Sequence, residues 1–137
     1  MKTTYLEHVN IAVKNLNESI SFIQLALPDF KIRGKGFSDD GHPWVHIGTD
    51  DSYLALNEVG TQFINGKDYT KPGLNHLGFV VSDVDIIAEK LFAAGYERSY
   101  PKQTENYRIR DYFLDNAGNE YEFVQYLSDK PAERNQY

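Results

Sequence analysis

The sequence predicts an α+β fold of two βαβββ modules. Three observations carry this reading. Leu6–Val13 (LEHVNIAV) repeats 68 residues later as Leu74–Val81 (LNHLGFVV), with His8 and His76 coinciding. Each copy passes through a polar turn into a helix-period pattern. Each helix is then followed by three strand-like runs. One such module cannot cover both faces of its sheet, so two are expected to combine around one core.

The first strand ends at the turn Lys14-Asn15. Leu16, Ile20, Ile23 and Leu27 then recur on one helix face, Asn15 and Glu18 have capping-box spacing, and Pro28 stops the helix. Strands are expected at Phe30–Gly36, Pro43–Gly48 and Ser52–Val59, with Asp50-Asp51 in the last hairpin. Gly60–Gly73 reads as a linker between a first module of about 4–59 and a second of about 74–127. In the second, Ser82-Asp83 opens a helix with Val84, Ile87, Ala88, Leu91 and Phe92 on one face. There Ser82 and Asp85 have the capping spacing, and Gly95 ends the helix. Strands follow at Tyr96–Lys102, Arg108–Asp115 and Asn119–Tyr126, with Asn116-Ala117-Gly118 as the turn. The polar tail Ser128–Tyr137 is frayed or laid on the surface.

Composition narrows the function. The chain has 137 residues and a net charge of −6, which argues against nucleic acid or an acidic membrane as partner. It has no cysteine, which excludes disulfides, thiolate catalysis and zinc–thiolate sites. The start, MKTTYLEHVN, lacks the apolar run of a signal peptide, and no stretch approaches the ~18 apolar residues of a membrane helix. A soluble, cytoplasmic protein with a small-molecule site is expected. Ten Tyr and eight Phe suit either plain packing or a ring-lined cavity.

Strand parity assigns faces. Val9, Ile11 and Val13 should meet the first helix, which leaves His8, Asn10 and Ala12 opposite. Leu77, Phe79 and Val81 likewise leave His76, Gly78 and Val80. A lone histidine at a strand start is ordinarily just half-exposed. Repeated beside small residues in both copies, the pair points to a concave site. On the last strand Glu120, Glu122 and Val124 share a face. Glu122 lies well inside it, whereas Glu120, near the turn, is expected to be exposed. A carboxylate inside an apolar strand needs a partner or a metal. Ala55 takes the matching place in the first module, and Glu58, with the wrong parity, reads as a solvated strand-end charge. His8, His76 and Glu122 together suit a divalent ion (Fe, Mn, Ni or Zn) with positions open to substrate, hence Lewis-acid chemistry.

Arg108, Arg110 and Tyr112 share the cavity face of their strand. Arg110 or Arg108 could clamp a carboxylate or phosphate and Tyr112 could donate a proton. Alternatively the arginines sit at the rim and pair with nearby acids. Asn10 and Tyr53 point inward by parity and could orient a ligand oxygen. His46, in phase with Trp44, reads as a packed or rim residue, and His42 as loop. Gly34, Gly36 and Gly41 surround Lys35–Asp40, a mobile-looking stretch that could cover the site without any phosphate-loop pattern.

The paired strand–His–helix segments, the duplication, and Asp115-Asn116-Ala117-Gly118-Asn119-Glu120-Tyr121-Glu122 resemble the vicinal oxygen chelate superfamily. Its members include glyoxalase I, extradiol dioxygenases, fosfomycin-resistance enzymes, methylmalonyl-CoA epimerase and bleomycin-binding proteins. The last segment is similar to the family ending D-P-D-G-N-x-x-E, with Asn116-Ala117 in place of Pro-Asp. The resemblance runs from Tyr5 to Tyr126 and implies a cupped, partly open mixed sheet around a central cavity, with metal ligands at His8, His76 and Glu122 and Ala55 at the fourth place. It implies a homodimer and a metalloenzyme that stabilises an enolate or oxyanion, of lyase, isomerase, thiol-transferase or dioxygenase type. Ala55 departs from the acid or amide of glyoxalase I, so a strict lactoylglutathione lyase is not implied. The fosfomycin-resistance pattern is nearer, and it places Lys102 and Tyr112 near the phosphonate. However, Thr104-Glu105-Asn106-Tyr107-Arg108 replaces that group's Ser/Gly-rich loop, and Phe123–Glu133 lacks its arginine. The usual extradiol enzymes are twice this length. The alternative is a metal-free protein of the bleomycin-resistance type that sequesters a flat cationic drug. A third reading is a structural or regulatory domain with an unused site.

Overall fold

Both modules form as expected. The computed structural model describes residues 6–39, 41–59, 74 and 76–136. In the first module the order is β1 (His8–Val13), α1 (Leu16–Ala26), β2 (Lys31–Phe37), β3 (Pro43–Gly48) and β4 (Tyr53–Glu58). The second runs β5 (His76–Val80), α2 (Val84–Ala93), β6 (Arg98–Thr104), β7 (Arg108–Leu114) and β8 (Glu120–Tyr126), followed by a short α3 (Pro131–Arg134). The sheets are ordered β1-β4-β3-β2 and β5-β8-β7-β6, with the first and last strand of each module parallel and adjacent. The chain divides into two units, Met1–Phe63 and Ile64–Tyr137. The fold is α+β, two βαβββ modules.

Parity governs burial as the sequence indicates. Ile11 and Val13 are buried while His8, Asn10 and Ala12 on the other side are exposed. Over the apolar face α1 buries Leu16, Phe22, Ile23 and Ala26, and α2 buries Val84, Ile87, Ala88 and Leu91. Removing such chains from water is the main favourable term in each half, at roughly 1.5–3 kcal/mol per large aliphatic or aromatic side chain. Asn15 caps α1, its Oδ1 accepting from Glu18 N at 3.0 Å.

Several expectations require correction. Asp83, not Ser82, caps α2, because its Oδ1 accepts from both Asp85 N and Ile86 N. Glu58 is no idle strand-end charge. Its Oε2 accepts from Leu16 N at 2.9 Å, and Gln125 does the same for Val84 N at 3.0 Å in the second module. Each last strand thus ends by satisfying an orphan donor at its own helix start. Lys35–Asp40 is not a free cover over its first half. Lys35, Gly36 and Phe37 pair with Val45, Trp44 and Pro43 in the sheet. Asp40 and the linker 60–73 lie outside the described residues. The tail forms α3, laid on the surface with the Arg134 guanidinium 4.2 Å from the Tyr126 ring centre. Among the described residues no helix is long and apolar enough to cross a membrane.

Candidate functional site

The face of the second sheet away from α2 gathers its charged groups through register. Parallel pairing sets His76 beside Glu120 and Gly78 beside Glu122, while antiparallel pairing sets Tyr112 beside Glu122. His76 Nε2 lies 2.9 Å from Glu122 Oε2, and Nδ1 lies 3.7 Å from Glu120 Oε1. The Tyr112 hydroxyl donates to Glu122 Oε1 at 3.1 Å, and Arg110 Nη1 stands 3.9 Å from the same oxygen. With no side chain, Gly78 leaves the approach to Glu122 open. An added Cβ would meet Oε2 at van der Waals distance, 3.9 Å.

Glu120 is a correction: its side chain is fully buried rather than exposed. The turn before it is clipped shut, and β8 is a central strand flanked by β5 and β7, so its first residue is already enclosed. Enclosure also acts on Tyr112. Burial, reinforced by the Glu122 charge, pushes its phenol up to about 12, so it is a neutral donor at physiological pH.

Arg108 and Arg110 lie on the same face of β7 as Tyr112, and both donate to Glu105 in the β6–β7 turn. Pairing with a nearby acid is therefore what the structure shows. The Arg108 hydrogen bond, with the Arg110 charge, holds the Glu105 carboxyl below its usual range. Lys102, expected among the substrate contacts, is instead turned to the helix side. Its Nζ donates to Asp85 of α2 at 2.7 Å. The irregular pairing of β6 between Tyr100 and Gln103 accounts for the change of phase.

On the first unit the matching face is aromatic. His8 and Tyr53 stack with ring centres 4.9 Å apart and planes at 19°, and His46 continues the series 4.7 Å from Tyr53. Trp44 follows at 4.9 Å from His46, and the Arg33 guanidinium lies 4.3 Å from the Tyr53 ring centre. Glu7 Oε1 lies 3.0 Å from His8 Nδ1 and accepts from the Tyr53 hydroxyl at 3.2 Å. Asn10 pairs with Ala55 as Gly78 pairs with Glu122, so Ala55 stands in the place that Glu122 holds in the second module. His46, opposite Ala55, is the counterpart of Tyr112.

Neither unit by itself gathers three His, Asp or Glu side chains as a metal centre among the described residues. The second contributes the pair His76–Glu122, an imidazole nitrogen and a carboxylate oxygen aimed at each other. That donor set suits a borderline-to-hard divalent cation. Sequence reasoning missed Glu105, Glu120 and Glu7 as partners. Glu105 carried one signal, a carboxylate three and five residues before two arginines of one strand face.

The model of a family described as Glyoxalase/Bleomycin resistance protein/Dioxygenase superfamily matches residues 5–123. No curated protein matches the chain significantly. Among solved structures, a glyoxylase/bleomycin resistance protein/dioxygenase domain from Frankia sp. EAN1pec is 25% identical with a TM-score of 0.74, covering 91% of this chain and 99% of that one. A glyoxalase family protein from Bacillus cereus is 19% identical with a TM-score of 0.77, covering 93% and 99%. The fosfomycin resistance protein FosX of Listeria monocytogenes, solved as a variant with Mn(II) and 1S,2S-dihydroxypropylphosphonic acid, is 18% identical. Its TM-score is 0.73, with coverage of 99% and 100%. At these lower identities the likeness is one of fold.

Proposed function

The chain belongs to the Glyoxalase/Bleomycin resistance protein/Dioxygenase superfamily, and from that membership we propose a divalent-metal enzyme that stabilises an enolate or oxyanion on a small oxygen-bearing substrate. The observation that carries the reading is the 2.9 Å approach of His76 Nε2 to Glu122 Oε2 on the sheet face away from α2, with Tyr112 on the other carboxylate oxygen. His76 and Glu122 would hold the ion. His8, at the equivalent place in the first module, is the third ligand the reading calls for, from the same chain or from a second copy in a homodimer. When bound, the cation supplies a Lewis acid that polarises a substrate oxygen.

The chain's own groups divide the remaining work. Tyr112, neutral because its phenol is raised to about 12, donates a hydrogen bond or proton to a substrate oxygen. Ala55 offers no group to carry a proton from the fourth position, so proton movement falls to the Tyr112 side. Glu120, buried beside His76 Nδ1, orients the imidazole in the manner of the carboxylates that commonly stand behind metal-binding histidines.

The test is elemental analysis of protein purified without chelator, followed by Mn(II) titration of wild type, His76→Ala and Glu122→Gln. Stoichiometric uptake by wild type, lost in both variants, is the expected result; a wild type that takes up no divalent metal overturns the reading. A metal-free binder of flat ligands is the second reading, favoured by the ring series His8, Tyr53, His46 and Trp44. Such a protein would hold its ligand equally well in chelator and after His76→Ala.

A further inference from the structure

Two guanidiniums on neighbouring positions of one strand face need an anion between them, and here a single carboxylate serves both. Glu105 accepts from Arg108 Nε through one oxygen and from Arg110 Nη2 through the other. We infer that Arg108 and Arg110 form an oxyanion-binding site, occupied by the chain's own Glu105, which an anionic group of the substrate takes over by displacing that carboxylate. The inference rests on the reading above that this face of the second sheet receives substrate.

Four features support exchange over a fixed structural bridge. Charge is the first, since Glu105 brings one negative charge to the two guanidiniums it bonds, whereas a phosphate or phosphonate near its second ionisation would bring two. Arg110 also has donor capacity left. Its Nε is buried with no hydrogen-bond partner among the described residues, and its Nη1 stops 3.9 Å short of Glu122 Oε1. Third, solvent reaches Glu105. Its side chain is 37% exposed and sits in the turn closed by Glu105 N donating to Arg108 O at 2.9 Å. Finally there is room for the displaced carboxylate, because a hollow of about 270 Å3 is lined by Glu105, Tyr107, Arg108 and Glu133. Glu133, which also lines the hollow, accepts from Ser128 and Lys130. The fork geometry of guanidinium suits planar carboxylates and tetrahedral oxyanions alike.

Binding of inorganic phosphate, methylphosphonate and acetate is to be measured by calorimetry on the full chain in excess chelator. The arginine Nε–Hε NMR signals are followed in the same samples. Internal competition lowers apparent affinity by the fraction of sites free of Glu105. Glu105→Gln should therefore tighten phosphate about 10-fold, Glu105→Asp less, and Arg110→Gln should abolish the gain. The arginine signals of wild type should move with phosphate. Preference for methylphosphonate over acetate assigns the site to tetrahedral oxyanions, and the reverse to carboxylates. Glu105→Gln and Glu105→Asp proteins that melt as wild type yet bind no anion more tightly would overturn the inference. So would undiminished phosphate binding by Arg110→Gln. Chelator keeps the outcome separate from the metal reading: phosphate binding in a protein that takes up no Mn(II) removes only the latter.

Discussion

Glu122 is the residue on which most of the chemistry converges, since its two oxygens face an imidazole, a phenol and a guanidinium at once. Replacing it with Gln keeps the shape but removes the charge. Mn(II) affinity should fall at least about 100-fold, beyond the ~10–100-fold that loss of an outer partner usually produces. Glu120→Gln provides that comparison, because the proposed role of Glu120 is to orient His76 from its Nδ1 side. Its Mn(II) affinity should drop about 10-fold or somewhat more, with the fold intact by circular dichroism. Tyr112 differs in kind. Tyr112→Phe should lower kcat roughly 100-fold or more and leave Mn(II) uptake nearly unchanged. Its titration has a second consequence. The phenol is raised from 10.0 to about 12 by burial and the Glu122 charge, and burial raises Tyr121 further. Between those pH values the native chain holds a proton that the unfolded chain has lost. Stability therefore declines as pH climbs from 10 toward 12. Denaturant midpoints across that range check the sign, and Tyr112→Phe should flatten the decline.

The turn between β7 and β8 is the element that aims Glu120 and Glu122. Asp115 Oδ1 accepts from Ala117 N and Asn119 N, both at 2.8 Å, and its other oxygen accepts from Asn119 Nδ2 at 3.1 Å. Gly118 sits at φ 79°, where a side chain costs about 1–2 kcal/mol. Gly118→Ala should lower stability by that amount and Asp115→Ala by about 1–3 kcal/mol, measured by urea unfolding. This turn was legible in the sequence, because Asp, Gly and Asn at that spacing dictate it chemically. Strand parity was equally legible, since alternation of Ile11 and Val13 with His8 and Asn10 needs no tertiary information. What escaped depends on through-space enclosure or irregular pairing. Glu120 is buried by neighbouring strands. Glu58 and Gln125 reach helix starts far away in sequence. Lys102 changes side where β6 slips register. His8 and His76 follow from repetition and Glu122 from its place inside an apolar strand, which locate positions but not the contacts each copy has acquired.

At the scale of the whole chain, duplication has given the two modules the same frame and opposite surfaces. Where the first carries Tyr53, Ala55, His46 and Trp44, the second carries Glu120, Glu122, Tyr112 and Arg110 at corresponding register. Ring stacking stabilises the one face modestly by itself. The other holds buried or half-buried charges whose desolvation is only partly offset by one another, and such a cluster is stabilised by a cation that binds the native state alone. Linkage makes this measurable. Mn(II) at about 100 times its Kd should add roughly 2.7 kcal/mol, which for a chain of this length is a rise in Tm on the order of 10 °C. Neither Glu122→Gln nor His76→Ala should show that rise, and His8→Ala should show little of it if its imidazole completes the ligand set. Calorimetry of the four proteins with and without Mn(II) decides the matter. Equal Tm shifts in all of them would mean that the ion binds somewhere other than on these imidazoles and this carboxylate.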